Sequence, residues 1–117
     1  MSYHKITIIG HAGSHPDHQV TPSGKEVTNF LLYVNERSGE NGRTVRYKIK
    51  AWDRLSEVVL EHLLVGQLLL VEGIPSVDVW KDREGQPRAQ MVVSAQMLRF
   101  LGSRPSTPES GSANQSQ

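Results

Sequence analysis

Short strand-like runs separated by turn-forming residues cover the first hundred positions, and this pattern constrains the fold more than any other feature. The runs are rich in apolar and β-branched residues, and the segments between them in Gly, Asn, Asp and Pro. We predict strands over residues 3–11, 27–37, 44–52, 67–73 and 88–101, with residues 74–81 continuing or restarting the fourth. Pro75 predicts a bend or bulge there. Residues 11–24 are predicted to form a loop.

One segment has helical periodicity instead. Asp53 precedes it and is predicted to cap the helix with its carboxylate, and Gly66 suits the position after the helix. The apolar stripe that defines the helix consists of Leu55, Val58, Val59 and Leu63. The helix therefore follows the third predicted strand.

This order of elements is typical of the five-stranded oligonucleotide/oligosaccharide-binding (OB) barrel. We predict an all-β fold with one helix: an OB-fold barrel with extended hairpins over residues 1–102. Residues 103–117 carry no large apolar side chain and are dominated by Ser, Pro, Gly, Asn and Gln. Such a segment cannot bury enough surface to offset its ordering entropy, so a disordered C-terminal tail is predicted.

Composition excludes several functional classes. The chain has no cysteine, which excludes a disulfide scaffold, a Cys-based zinc finger and a thiol nucleophile. No apolar run, including residues 68–71, is long enough to span a membrane, and the N-terminus opens directly into a strand pattern. We therefore expect a cytoplasmic protein without a membrane partner. No phosphate loop, nucleophile elbow or His-Glu-x-x-His motif occurs, so neither an enzyme nor a cofactor is expected.

The charge is unevenly distributed. The net charge is +1, yet residues 43–54 contain five cations and one anion. A basic stripe on a nearly neutral protein favours a localised anionic partner. The cations of the stripe are Arg43, Arg46, Lys48, Lys50 and Arg54.

The third predicted strand separates its charged and apolar residues, because successive strand side chains point to opposite faces. Val45, Tyr47, Ile49 and Ala51 share the apolar face. The other face carries Arg46, Lys48, Lys50 and Trp52. Cations in line can follow a phosphodiester backbone and an exposed indole can stack on a base, which points to single-stranded nucleic acid. The alternative is a solvated strand with Trp52 half-buried at a barrel end.

Trp80 supplies a second candidate stacking platform. Val77 and Val79 are predicted to face the core, which places Trp80 on the outer face with Ser76 and Asp78. Asp78 is discordant there, since an anion should repel phosphate. The alternative is that Trp80 packs on the cationic stems of its own hairpin. The neighbouring cations are Lys81, Arg83 and Arg88.

Further candidates are less specific. Phe30 and Tyr33 fall on opposite faces of the second strand. We predict that Phe30 packs in the core and that Tyr33 contacts the nucleic acid. Arg37 flanks the loop before the third strand, either at the nucleic acid or as a plain surface charge. Three histidines and an acid share one loop without a regular scaffold, so anion contact or solvation is favoured over a metal site. They are His11, His15, Asp17 and His18.

Several short motifs, in this order and spacing, resemble the bacterial-type single-stranded DNA-binding proteins from about Lys5 to Gly102. They include Ile8-Ile9-Gly10, Thr21-Pro-Ser-Gly24, Val27-Thr-Asn-Phe30, Ala51-Trp52-Asp-Arg-Leu-Ser-Glu-Val58, Val71-Glu72-Gly73 and Trp80-Lys-Asp-Arg-Glu-Gly85. The resemblance implies an OB barrel that binds single-stranded DNA with little sequence preference. It implies a homo-oligomer, with a tetramer favoured and a dimer possible, and a nucleoid-associated role in DNA replication, recombination and repair. It also implies that Trp52 and Trp80 stack on bases beside Lys48, Arg54 and Arg88.

The chain departs from the family pattern at several positions. Ser38 and Arg46 stand where the family often has aromatic residues, which implies fewer stacking platforms. The tail has one acid, Glu109, and no aromatic residue, whereas family members usually end in an acidic tip that recruits repair and replication proteins. Recruitment of such proteins is therefore in question. A primosome-type accessory, commonly dimeric and acting through protein contacts as well as DNA, is the alternative.

Overall fold

The computed structural model describes residues 1–36 and 42–102. Arg37, most of the predicted loop after it and the predicted tail over residues 103–117 lie outside the described residues. The elements in chain order are β1 (Ile6–Ala12), β2 (Asp17–Val20), β3 (Glu26–Glu36), β4 (Arg43–Trp52), α1 (Arg54–His62), β5 (Leu68–Lys81) and β6 (Pro87–Leu101).

Strand pairings close a ring. The order across the sheet is β1–β5–β6–β4–β3–β2, and β1 also pairs with β3. β1, β5, β6, β4 and β3 therefore form a closed circuit, in which only the β4–β6 pairing is parallel. The prediction of five ring-forming strands with a single helix between the third and fourth of them is confirmed.

The ring encloses the hydrophobic core. Phe30 is 2% exposed, so the prediction that it faces the core is confirmed. The predicted alternation in β4 is also confirmed, because Ile49 and Ala51 are fully buried and their neighbours Lys48 and Lys50 are not. The other side chains with no exposed area in this cluster are Leu32, Val59, Leu69, Val71 and Val93.

The segment predicted as a loop over residues 11–24 contains β2, so that prediction is wrong in part. β2 pairs with the start of β3, and the turn at Thr21 and Gly24 joins them into a hairpin. All four β2 residues are exposed. The strand is held by its ladder to β3 rather than by a buried face.

Both predicted ends of the helix are corrected. Asp53 makes no side-chain capping hydrogen bond and has a φ of 51°. Its backbone makes the connection instead, because its N–H donates to the carbonyl of Glu26 and its carbonyl accepts from the N–H of Glu57. Gly66 does not follow the helix end directly: α1 ends at His62, and Gly66 lies in the turn before β5, where its N–H donates to the carbonyl of Ala12.

Helix α1 is fixed to β3 by packing and by one polar contact. Val59 and Leu63 of the predicted apolar stripe are buried in the core. The hydroxyls of Thr28 and Ser56, both fully buried, lie 2.6 Å apart and share a hydrogen bond. The bond satisfies both groups and sets the helix position along the strand, because a buried hydroxyl without a partner is costly.

β5 and β6 form a long hairpin whose register shifts at one point. Glu72 pairs with Met97 and Gly73 with Ala95, so β6 carries one extra residue there. The sequence predicted a bend or bulge at Pro75, but Pro75 pairs regularly with Val93 and the register shift lies between Glu72 and Gly73. A side chain at Gly73 would collide with the carbonyl of Ser94, so the close approach of the strands requires glycine.

The distal half of this hairpin extends beyond the core. Val77 and Val79 are 52% and 71% exposed, so the prediction that they face the core is wrong. Residues 76–81 are exposed on both faces, so no core lies against this part of the hairpin. Trp80 nevertheless lies on the face opposite to these valines, as predicted.

Candidate nucleic-acid interface

The outer face of four strands forms one continuous surface. Residues opposite each other in a ladder share a face, and the register places Leu31, Lys48, Val92 and Ser76 in one row across β3, β4, β6 and β5. The next row toward the helix contains Asn29, Lys50, Ser94 and Ile74. This surface is called the outer sheet face below.

The predicted row of β4 lies on the outer sheet face. Arg46 is exposed, and Lys48, Lys50 and Trp52 are half-buried. Val92, the ladder partner of Lys48, is 2% exposed although it lies outside the core cluster. Arg43, at the start of the strand, is tied to Glu36: its Nε donates to a carboxylate oxygen at 2.7 Å, which raises the pKa of Arg43.

Trp80 lies on the same face near the end of the β5–β6 hairpin. It is 49% exposed and pairs across the hairpin with Arg88. Its indole therefore presents about half of its surface to solvent, as a stacking platform requires. Trp52 and Trp80 occupy opposite ends of the outer sheet face, with β6 between their strands and the β4 cations on the same strand as Trp52.

The turn beyond Trp80 is organised by Asp82. Its Oδ1 accepts hydrogen bonds from the backbone N–H groups of Glu84 and Gln86, and its Oδ2 accepts from Nε of Arg88 at 2.9 Å. The hydrogen bond from Gln86, followed by those from Arg88 and Glu84, holds the pKa of Asp82 below its ordinary value. Arg88, predicted to contact nucleic acid, is therefore already ion-paired. Sequence reasoning missed this pair.

Tyr33 and Arg46 are also engaged with each other. They are directly opposite in the β3–β4 ladder, and the guanidinium carbon of Arg46 lies 5.9 Å from the Tyr33 ring centroid, a cation–π distance. The ring also fills the space that a side chain at Gly13 would need. Tyr33 is half-buried, so it offers less free ring surface than Trp80.

Two further predicted cations lie close to the tryptophans in the chain. Arg54 is exposed at the first position of α1, just beyond Trp52, and Lys81 is exposed at the end of β5. Asp78 lies on the outer sheet face opposite Gln90, whose amide donates to the carbonyl of Arg46. The discordant anion noted in the sequence therefore belongs to this surface.

A cavity of about 170 Å³ adjoins Lys48 and was not predicted. It forms where residues 13–16 link β1 to β2 along the edge of β3. Its lining residues are Ser14, His15, Asp17, Asn29, Phe30, Leu31 and Lys48. These residues come from three separate segments of the sequence, so nothing in the sequence indicated that they meet. In the described part of the chain, no group of three or more His, Cys, Asp or Glu side chains is placed to hold a metal ion.

Comparison with known proteins identifies the family. The model of the Single-strand binding protein family matches residues 3–101. The chain belongs to this family. It is 31% identical to Single-stranded DNA-binding protein 1 of Synechocystis over 89% of this chain and 88% of that protein. It is 32% identical to Single-stranded DNA-binding protein 1 of Nostoc, with 89% and 87% covered. Family membership supports a non-enzymatic protein, in agreement with the catalytic motifs missing from the sequence.

Structural comparison agrees with the sequence relationship. A Plasmodium falciparum SSB in complex with single-stranded DNA superposes with a TM-score of 0.70 and 26% sequence identity. The match covers 86% of this chain and 96% of that one. This protein therefore shares the fold of the Plasmodium protein. The predicted OB-type fold class is confirmed.

Within residues 1–36 and 42–102, no helix has both the length and the apolar character needed to cross a membrane.

Proposed function

We propose that this protein binds single-stranded DNA in a sequence-tolerant manner through the outer sheet face. Trp52 and Trp80 stack on bases, and the cations around them contact phosphates. Those cations are Arg46, Lys48, Lys50 and Arg54. Tyr33, Lys81 and Arg88 contribute further contacts at the edges of this surface, and Arg37 is a further candidate cation. The proposal rests on the register of β3, β4, β6 and β5, which puts both tryptophans and the β4 cations on one surface.

Physical chemistry makes this surface suitable for a single strand. An indole stacks on any base, because every base has a π-face, and each stacked base contributes about 1–3 kcal/mol. Lysine and arginine side chains add a sequence-independent attraction for phosphate. The name of the Plasmodium neighbour, which includes single-stranded DNA, supports the same ligand.

The cellular role follows from the same binding. The protein would cover exposed single strands at the nucleoid in the cytoplasm and protect them during replication, recombination and repair. We propose that it acts as a homo-oligomer, with a tetramer favoured over a dimer.

Titration with oligo-dT at two salt concentrations, followed by Trp fluorescence, tests the proposal. We expect strong quenching that weakens with salt, with a log–log slope of about −0.7 per phosphate neutralised. Unchanged fluorescence together with no detectable binding would contradict the proposal. Binding with no salt dependence would remove the phosphate contacts from it.

Single substitutions show how much individual residues contribute to DNA affinity and to its salt dependence. Trp80→Ala should weaken binding by roughly tenfold, because one stacked base is lost, and Trp80→Phe should recover much of it. Lys50→Ala should reduce the salt slope by about 0.7. Lys25→Ala, at an exposed position in the β2–β3 turn, is the matched control and should leave both affinity and slope unchanged.

A primosome-type accessory that acts through protein contacts as well as DNA is the second candidate. The pairing of Arg88 with Asp82 and the exposed valines of the hairpin favour it, since both reduce the share of the surface devoted to phosphate. Subunit number distinguishes the two: four subunits favour the first candidate and two favour the second.

A further inference from the structure

Charge divides the outer sheet face into two columns, one along β4 and one along β5. The β4 column carries the three cations described above. The β5 column consists of Ile74, Ser76, Asp78 and Trp80, and Asp78 is the only charged residue among them. Because β6 lies between the columns, they are about 10 Å apart at the ordinary strand spacing. A nucleotide spans a similar distance from its phosphate to the far edge of its base, so a DNA backbone held over β4 places bases over β5.

The carboxylate of Asp78 is exposed on this column, and its neighbour across the hairpin is occupied elsewhere. Gln90 lies directly opposite Asp78. Its amide nitrogen donates to the carbonyl oxygen of Arg46 at 2.9 Å and to that of Met91 at 3.2 Å. These two bonds use both amide protons, so Gln90 has none left for Asp78.

Cations near Asp78 in the ladders also have other partners. Arg88 is diagonal to Asp78 in the β5–β6 hairpin, and its Nε donates to Asp82. Arg46 lies over the ring of Tyr33. None of the ion pairs within residues 1–36 and 42–102 includes Asp78. Its carboxylate oxygens are therefore open to a ligand that donates hydrogen bonds.

A free carboxylate discriminates between bases by what their edges offer. When ionised it accepts hydrogen bonds and donates none. The exocyclic amino groups of cytosine, adenine and guanine are donors, and acidic side chains accept from the amino group of cytosine in protein–DNA complexes. Thymine and uracil carry a carbonyl oxygen where cytosine carries its amino group, and a carboxylate repels that oxygen.

We infer that Asp78 contacts the edge of a base bound beside Trp80 and favours bases with an exocyclic amino group over thymine and uracil. The inference rests on the proposed DNA binding. Asp78 and Trp80 are two residues apart on one strand face, which separates their Cα atoms by about 7 Å. A base stacked on the indole therefore lies next to the carboxylate. The anion that opposes phosphate binding on this surface thus gives one base position a preference.

Short oligomers of deoxycytidine and deoxyuridine, equal in length, test the inference at neutral pH and one salt concentration. The two pyrimidines share ring size and differ at the amino position and the adjacent nitrogen. We expect the ratio of oligo-dC affinity to oligo-dU affinity to fall about fivefold from the wild type to Asp78→Ala, the scale of one contact with a base edge. Comparing ratios cancels the intrinsic difference in stacking between the two bases.

The outcomes separate this inference from the proposed function. An equal change of affinity for both oligomers in Asp78→Ala would show that Asp78 only repels phosphate. That result would overturn the inference and leave the proposed function intact. Failure of the wild type to bind either oligomer would instead overturn the proposed function.

Two further variants control for charge and for folding. Glu84→Gln removes one negative charge from an exposed position in the turn of the same hairpin, so it should retain the wild-type ratio. Asp78→Asn keeps the shape of the side chain and repeats the test if the alanine variant does not fold. Its amide can donate as well as accept, so it suits both pyrimidines and should lower the ratio too. A wild-type ratio in Asp78→Asn would overturn the inference.

Discussion

Asp53 connects β4 to α1 through its backbone, and its side chain makes no capping hydrogen bond. Its φ of 51° lies in the range that residues with a Cβ rarely adopt. Such a conformation costs about 1–3 kcal/mol and persists only where surrounding structure enforces it. Here the backbone bonds to Glu26 and Glu57 enforce it.

Substituting Asp53 separates strain from capping. Asp53→Gly should raise the free energy of unfolding by about 1 kcal/mol, because glycine relieves the strain and its greater entropy loss offsets part of the gain. Asp53→Ala keeps the Cβ and should leave stability nearly unchanged. Urea denaturation measures both. A loss of about 1 kcal/mol in Asp53→Ala would show that the carboxylate caps the helix after all.

Sequence alternation was sufficient to place Trp52, Lys48 and Lys50 on one face, because the two-residue period follows from strand geometry alone. The same reasoning failed at Val77 and Val79, since alternation identifies a face but not whether a core lies behind it. The pairings of Arg46 with Tyr33 and of Arg88 with Asp82 depend on strand register and turn geometry. They could not be read from residue type.

At the scale of elements, β2 and the β5–β6 hairpin show the limits of hydrophobic patterning. β2 has no buried side chain, so no apolar alternation marked it. The turn at Thr21 and Gly24 was its only sequence signal. The β5–β6 hairpin was recognised from its turn at residues 82–86, whose closing bonds run between Asp82 and Gln86 and between Asp82 and Gly85.

Acid should loosen that turn. The bonds from Gln86, Arg88 and Glu84 hold the pKa of Asp82 below its ordinary value of 3.8. A lowered pKa in the folded state means that the contribution of the carboxylate to hairpin stability is present above pH 3.8 and lost as the pH falls through the folded-state pKa. The amide proton shifts of Glu84 and Gln86 should therefore remain constant down to about pH 4 and move in one step below it.

NMR titration of these two amides checks the prediction, and Asp82→Asn, which cannot ionise, is the control that should lack the step. A midpoint at or above the ordinary pKa would contradict the assigned hydrogen bonds. The result also bears on binding, because protonated Asp82 releases Arg88 beside Trp80.

At the scale of the whole molecule, the distal β5–β6 hairpin has two different faces. Trp80 and Arg88 belong to the proposed DNA surface. The opposite face carries an exposed apolar patch formed by Val77, Val79 and Met91, with Val77 paired directly with Met91. Exposed contiguous apolar patches commonly mark interaction sites. A second copy of the chain on this patch would leave Trp80 free for DNA, so one hairpin could serve both assembly and binding.

Charge placed on the patch tests this arrangement. Val79, 71% exposed, can accept lysine without disturbing the core, so Val79→Lys should fold normally. If the patch joins subunits, burying an unpaired ammonium there is costly, and light scattering after gel filtration should show fewer subunits than the four expected for the wild type. Glu84→Lys, which adds charge at the exposed turn of the same hairpin, should not change the subunit number. An identical molar mass for the wild type and Val79→Lys would place the subunit contact elsewhere, and a wild type of two subunits would favour the accessory function.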